Sequence, residues 1–468
     1  MLFTSPEFFL LLLITFVIYY LAGNLRLQKL ILIASSFVFY AWHYPKLLAL
    51  LCFSILINVI TVKLIKNSES QRRFIYSTLG VVANLLILAF FKYSPLIGKT
   101  FFFDDSSIGS FLVSIPLPIG ISFFTFQGLS LVIDTYRNDS KTDNLPESNT
   151  SLVESITMYI AFFPQLIAGP IVKAYEFLPQ INKKYLKDID WEYCVKKLIL
   201  GYFLKMVIAD NLKDHTFWMQ YPYFMELSGL NLMALLFGYS MQIFADFAGY
   251  SSIALGLAGL FGYTLRENFM FPYISASFSE FWRRWHISLS TFLKEYLYIP
   301  LGGNRKSKAR TYLNLMITMV LGGFWHGAAW SYAVWGAAHG IALAIERWVN
   351  DIAGFKWPKS LLLIKILFVF ALVTLCWLLF RLPQFSEVIL YIKQMGSAVF
   401  FKGMQDMTSV FFIGMYSLPV LVYHLIYYRR LKFDPLFLKK SEAVGYGVLL
   451  FMILVNSGSA GSFIYFQF

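Results

Sequence analysis

The chain has 468 residues, 58% hydrophobic and only 14% charged. A soluble chain of this length needs far more polar surface, so composition excludes an ordinary water-soluble enzyme and points to a polytopic membrane protein. The formal net charge of +13 does not indicate a nucleic-acid partner, because the basic residues sit in loops between apolar segments, as the positive-inside rule produces.

A spanning helix needs roughly 20 apolar residues. Candidate segments run near 7–22, 28–42, 46–65, 75–92, 110–133, 152–171, 195–212, 229–262, 311–330, 331–348, 360–382, 408–428 and 443–464. Some are short or carry Pro and Gly and read as re-entrant, which leaves an expectation of about eleven spans. No linker or soluble module interrupts them. The reading is one membrane domain over 1–468, with N-terminal helices in 1–133, a core in 152–348 and C-terminal helices in 360–468. The first segment lacks a basic leader and a small-residue cleavage site and is read as a retained helix. Basic clusters at 63–73, 263–310 and 429–440 are expected to face the cytoplasm, and the loop with Asp104 and Asp105 to face out. That alternation puts both termini outside.

Within the core, segment 229–262 is too long for one straight span, so a break near Gly249 is expected. It carries Gln242, Asp246 and Tyr250 in apolar surroundings, and Gln242 and Asp246 share a helix face. They either line a wet path or stabilise the broken segment. Residues 277–295 differ: Ser277 and Glu280 fit a capping box, and Trp282, His286, Leu289 and Leu293 recur on one face of a single amphipathic helix. Arg283 and Arg284 lie mostly on another face. The Pro-Leu-Gly-Gly-Asn-Arg stretch at 300–305 ends it, and Arg305, Lys306, Lys308 and Arg310 follow. These cations either attract an anionic group or only set orientation.

Residues 322–330 read Gly-Gly-Phe-Trp-His-Gly-Ala-Ala-Trp and put His326 beside Trp325 inside an apolar segment. An ionisable ring there costs free energy and is a functional candidate by default. Gly322, Gly323 and Gly327 permit a bend, and Gly336 and Gly340 form a small-residue row for close helix packing. His339 is read as a helix–helix hydrogen-bonding residue, and His43, His215 and His424 as structural. Cys52, Cys194 and Cys376 are far apart, and no Cys/His spacing suits a metal.

Four blocks in order carry a family resemblance: Phe-Phe-Pro-Gln-Leu-Ile-Ala-Gly-Pro-Ile at 162–171, Gln-Ile-Phe-Ala-Asp-Phe-Ala-Gly-Tyr-Ser at 242–251, Phe-Trp-Arg-Arg-Trp-His-Ile-Ser-Leu-Ser at 281–290, and the block around His326. The ending Phe-Ile-Tyr-Phe-Gln-Phe at 463–468 fits too. The chain resembles the membrane-bound O-acyltransferases, in their bacterial alginate O-acetyltransferase-like branch. The resemblance implies an all-α ring of about eleven transmembrane helices with re-entrant and interfacial helices around a central funnel or tunnel.

It implies His326 as the catalytic residue and His286 as the second family position, which orients the thioester or polarises its carbonyl. Gln242, Asp246, Tyr250, Trp325, Trp282, Arg283 and Arg284 are candidates to line the donor passage. A buried imidazole can take the proton of an attacking hydroxyl, or carry the acyl group itself; both routes fit the sequence. The implied reaction moves acetyl from a cytoplasmic thioester, acetyl-CoA as co-substrate with no permanently bound cofactor and no metal, across the inner membrane. A separate periplasmic partner is expected to pass it to an exported polysaccharide. Peptidoglycan or cellulose as the acceptor is the near alternative; teichoic-acid D-alanylation fits the blocks less well. A proton-coupled transporter and a secretion-machine scaffold are the alternatives of other classes.

Overall fold

A computed structural model describes residues 1–102, 106–137, 145–353, 358–430, 435–459 and 461. The acidic loop at Asp104 and Asp105, part of the basic loop at 429–440 and the ending at 463–468 lie outside the described residues. Among the described residues the regular structure is helical throughout. Among the described residues five helices are long and apolar enough to cross a membrane: Pro45–Lys66, Ser70–Phe101, Gly229–Leu260, Leu362–Arg381 and Met404–Tyr428. Pro6–Leu21 and Glu442–Val455 are shorter apolar helices. The chain is a multi-pass, all-helical membrane protein. Large apolar side chains such as Leu10, Leu86, Leu363 and Leu454 face outward, as a hydrocarbon solvent requires.

The residues gather into two compact units, Met1–Leu198 with Ser251–Arg266, and Ile199–Tyr250 with Glu267–Phe468. In the first, polar side chains join helices across an apolar interior. Asn58 and Asn84 exchange amide hydrogen bonds of 3.2 and 3.1 Å. Gly128 lies against them because any Cβ there would come within 2.6 Å of Asn58. The 162–171 block leaves helical geometry after the short helix Phe163–Leu166, yet every residue of it is buried. Irregular backbone at membrane depth is tolerated when protein encloses it.

In the second unit the helices Lys308–His326 and Trp330–Ala353 form a tight hairpin. The glycine row explains how close it is. A Cβ on Gly336 would lie 2.2 Å from the Met319 carbonyl, and one on Gly323 would lie 2.1 Å from that of Tyr332. The small-residue packing read from the sequence is therefore present.

Two expectations fail. Gly229–Leu260 runs 32 residues without a break at Gly249. Gly249 instead admits a neighbouring backbone: its Cβ would lie 2.9 Å from both the Gly201 carbonyl and the Lys205 amide nitrogen. At about 48 Å this helix exceeds the hydrocarbon thickness, which tilt or protrusion accommodates. The helix expected over 277–295 is two short ones, Phe278–Arg284 and Ile287–Leu293. His286 between them adopts the left-handed conformation, φ 43° and ψ 54°, so the proposed Trp282–His286–Leu289–Leu293 face does not exist as one stripe.

Candidate active site

The second unit brings His326 and His286 together, with ring centroids 6.0 Å apart. His326 is the last residue of the Lys308–His326 helix, and Gly327 leaves it in an extended conformation. Gly327 is needed there because a Cβ would overlap the Tyr332 ring at 2.2 Å. The His326 ring lies among Trp325 and Trp335, each at 5.1 Å, and Phe380, also at 5.1 Å. Both imidazoles are buried, at 3% and 0% exposure.

His286 is held by a residue the sequence reading did not single out, Asn268. Ser288 donates to Asn268 Oδ1 through its amide at 3.1 Å and its hydroxyl at 3.0 Å. A backbone N–H can only donate, so the amide oxygen of Asn268 must face this way. His286 Nδ1 lies 3.1 Å from the same oxygen, and only an Nδ1–H can bond it. The Ile287 amide adds a 2.9 Å bond to the Asn268 carbonyl. This clamp holds His286 in a backbone conformation that non-glycine residues seldom adopt. It fixes the tautomer, so the Nε2 lone pair is the ring's basic site. Burial lowers the His286 pKa to about 3, because a charged ring would lose its hydration. Phe247 packs edge-on at 4.6 Å and Trp325 at 5.6 Å.

The first of the two helices starts as read. Ser277 Oγ accepts from the Glu280 amide at 3.0 Å, while the Glu280 carboxylate returns to the Ala276 amide rather than to Ser277. Glu346 accepts from the Phe278 amide at 2.5 Å, which ties this helix to Trp330–Ala353. Trp282 borders Trp335 at 5.6 Å and His339 at 5.2 Å. Arg283 is exposed and donates to Ser279. Arg284 pairs with Glu280 at 2.9 Å and donates to the Met270 carbonyl. His339 stacks on Phe281 at 6.0 Å and meets Trp335 at 4.7 Å. Neither of its ring nitrogens has a hydrogen-bond partner among the described residues, so the expected helix–helix hydrogen bond is not formed; aromatic packing takes its place.

Asp246 and Tyr250 gather around a different centre. Lys205 Nζ lies 2.7 Å from Asp210 Oδ1 and 2.8 Å from Asp246 Oδ1, all three side chains being buried. Its ammonium also sits 5.4 Å over the Tyr250 ring. Lys205 projects from a π-helical turn, Phe203–Ala209, a distortion common near functional or tightly packed positions. Gln242 Oε1 accepts from Thr216 Oγ1 at 2.5 Å. The 41-residue gap from Lys205 to Asp246 hid this triad from any local reading.

The blocks that place His326 and His286 can now be set against known proteins. A family model for membrane-bound O-acyltransferases matches residues 37–382. The chain belongs to the membrane-bound O-acyltransferase family. It is 39% identical to a probable alginate O-acetylase of Azotobacter vinelandii over 393 residues, 81% of this chain and 75% of that one. It is 35% identical to a peptidoglycan O-acetyltransferase of Helicobacter pylori over 424 residues, 84% of this chain and 80% of that one. A teichoic acid D-alanyltransferase of Bacillus subtilis is 26% identical, over 66% of this chain and 84% of that one. As a member of the family the protein is an O-acyltransferase.

Proposed function

We propose that this membrane O-acyltransferase carries acetyl from a cytoplasmic thioester, acetyl-CoA, across the inner membrane for O-acetylation of an exported, alginate-like polysaccharide. The observation that carries the reading is the buried His326–His286 pair, 6.0 Å apart, inside a chain 39–40% identical to probable alginate O-acetylases. The helix ring around a central funnel, the periplasmic termini and a periplasmic partner that receives the acetyl group belong to the same proposal.

His326 takes the proton of the acceptor hydroxyl as its oxygen attacks the thioester carbonyl. The C–O bond forms, the C–S bond breaks, and the proton moves on to the departing thiolate. His286 plays a narrower part than either sequence option. Its Nδ1–H is committed to Asn268, so the neutral ring accepts at Nε2. It therefore accepts from a donor other than the hydroxyl hydrogen that passes to His326, a second hydroxyl or an N–H, and does not polarise a carbonyl.

Sealed vesicles containing the chain test the direction. Labelled acetyl-CoA is enclosed on the face bearing the 63–73 loop, and an acceptor oligosaccharide, with or without a periplasmic acetyltransferase, is supplied on the other. Label reaching the acceptor only with the chain present supports the reading. Acetylation only on the acetyl-CoA side overturns transfer across the membrane. Peptidoglycan fragments as acceptor address the second reading, which the 35% identity to the Helicobacter pylori enzyme favours.

A further inference from the structure

A second polar site lies in the first unit, apart from the histidine pair in sequence and in chemistry. A cavity of about 450 Å³ is lined by Arg26, Lys29, Ser148, Thr150, Ser151 and Glu154. Its charges are two cations and one carboxylate. Glu154 accepts from Arg26 Nε at 2.7 Å and from Lys29 Nζ at 2.8 Å, so both its oxygens are engaged. Arg26 gives that carboxylate only its Nε; its side chain is 65% exposed and keeps both terminal amino groups for another acceptor.

The remaining groups are nearly all donors or hydroxyls. Lys29 also reaches Ser151 Oγ at 3.4 Å. Ser148 is the N-cap of the 13-residue helix Asn149–Ala161 but makes no side-chain cap bond. The first main-chain bond of that helix runs from the Leu152 amide to the Ser148 carbonyl, which leaves the preceding amides for another acceptor. Arg26 and Lys29 themselves sit in the first turns of Leu25–Ala41, a helix with no acidic residue in its first turn. Cations at a helix N-terminus are disfavoured by the macrodipole. The Leu25–Ala41 end is capped, Asn24 Oδ1 accepting from the Leu27 amide at 2.9 Å, so one open helix end and two cations meet one carboxylate, already bonded twice. Glu147 is exposed and lies outside the lining.

We propose that this cavity binds a phosphate group. The Arg26 guanidinium offers the paired donors that suit phosphate oxygens, the Thr150 and Ser148 hydroxyls flank it, and the helix end supplies amides. The cavity belongs to the end of the unit that carries the 63–73 basic loop: Lys66 Nζ donates to the Leu145 carbonyl at 3.3 Å, three residues before Ser148. Two sources of phosphate reach such a place, the headgroup of an anionic phospholipid and the phosphates of a coenzyme A thioester.

The test uses the full chain in nanodiscs, as wild type and as Arg26→Gln/Thr150→Ala. Lys29 still pairs Glu154 in this variant, and unchanged thermal unfolding checks that it folds; Arg26→Gln alone is the second, milder variant. Native mass spectrometry measures retained phosphatidylglycerol against phosphatidylcholine, and titration measures coenzyme A and inorganic phosphate. A fall of about tenfold in phosphatidylglycerol retention assigns the site to a headgroup, and a similar fall in coenzyme A affinity assigns it to the donor. Folded variants that match wild type for phosphatidylglycerol, coenzyme A and inorganic phosphate overturn the proposal.

Discussion

The second unit holds two buried polar clusters that solve the same problem in opposite ways. Around Lys205, Asp210 and Asp246 charge is answered by charge at 2.7 and 2.8 Å. Around His326 and His286 the neighbours are aromatic faces, and an amide, Asn268, fixes one ring. A buried ion cluster is satisfied only as a set, and removing one member leaves an uncompensated charge. An imidazole can be buried in its neutral form and so needs no counter-charge. The first arrangement is satisfied only as a complete set of charges; the second leaves ring nitrogens for the transfer proposed above.

The largest expected effect comes from breaking the ion cluster. Lys205→Met leaves Asp210 and Asp246 facing each other and lowers stability by roughly 3–5 kcal/mol, read as a fall in thermal unfolding temperature in detergent. Adding Asp210→Asn and Asp246→Asn should recover most of it. A single variant as stable as wild type contradicts the structural role assigned to the triad.

Next is the Asn268 clamp. Asn268→Ala takes one shared acceptor atom from the His286 Nδ1–H and the Ser288 donors, at about 1–3 kcal/mol in all. Acetyl transfer should fall by roughly 10- to 100-fold, since a misplaced catalytic ring costs about that much. Asn268→Asp is the sharper probe. Wild-type His286 has its pKa held down to about 3 by burial, so it stays neutral through the working range. A carboxylate beside Nδ1 favours the imidazolium, which cannot accept at Nε2, so the acid limb of the pH–rate profile should move to higher pH; an unmoved limb contradicts the orienting role of a neutral His286. The smallest effect is expected at Arg283, exposed and bonded to Ser279. Arg283→Gln should change stability by about 0.5 kcal/mol or less and leave the KM for acetyl-CoA unchanged. A KM rise of tenfold would place Arg283 in the donor passage.

Much of this was readable from the residues. His326 and the glycines that let Trp330–Ala353 approach it stand in one continuous block, so local chemistry announced them. The clamp did not show because Asn268 lies 18 residues before His286 in irregular chain, where no period points to a partner. The amphipathic pattern of 277–295 continued smoothly through His286, while the chain itself breaks there; tertiary bonds from Asn268 outweigh the local preference. Gly249 misled for a related reason: a missing side chain serves a bend or a close neighbour equally well, and only the packing of Lys205 against it distinguishes them.

The central claim is that His326 takes the acceptor's proton in the transfer, with His286 and its clamp positioning the groups around it. The direct measurement is thiol release from acetyl-CoA, with acceptor present, by nanodisc-embedded wild type and His326→Ala of matched unfolding temperature. The account predicts a loss of about 10²–10⁴-fold in rate with the fold intact. A folded His326→Ala protein that releases thiol and acetylates acceptor at the wild-type rate would contradict it.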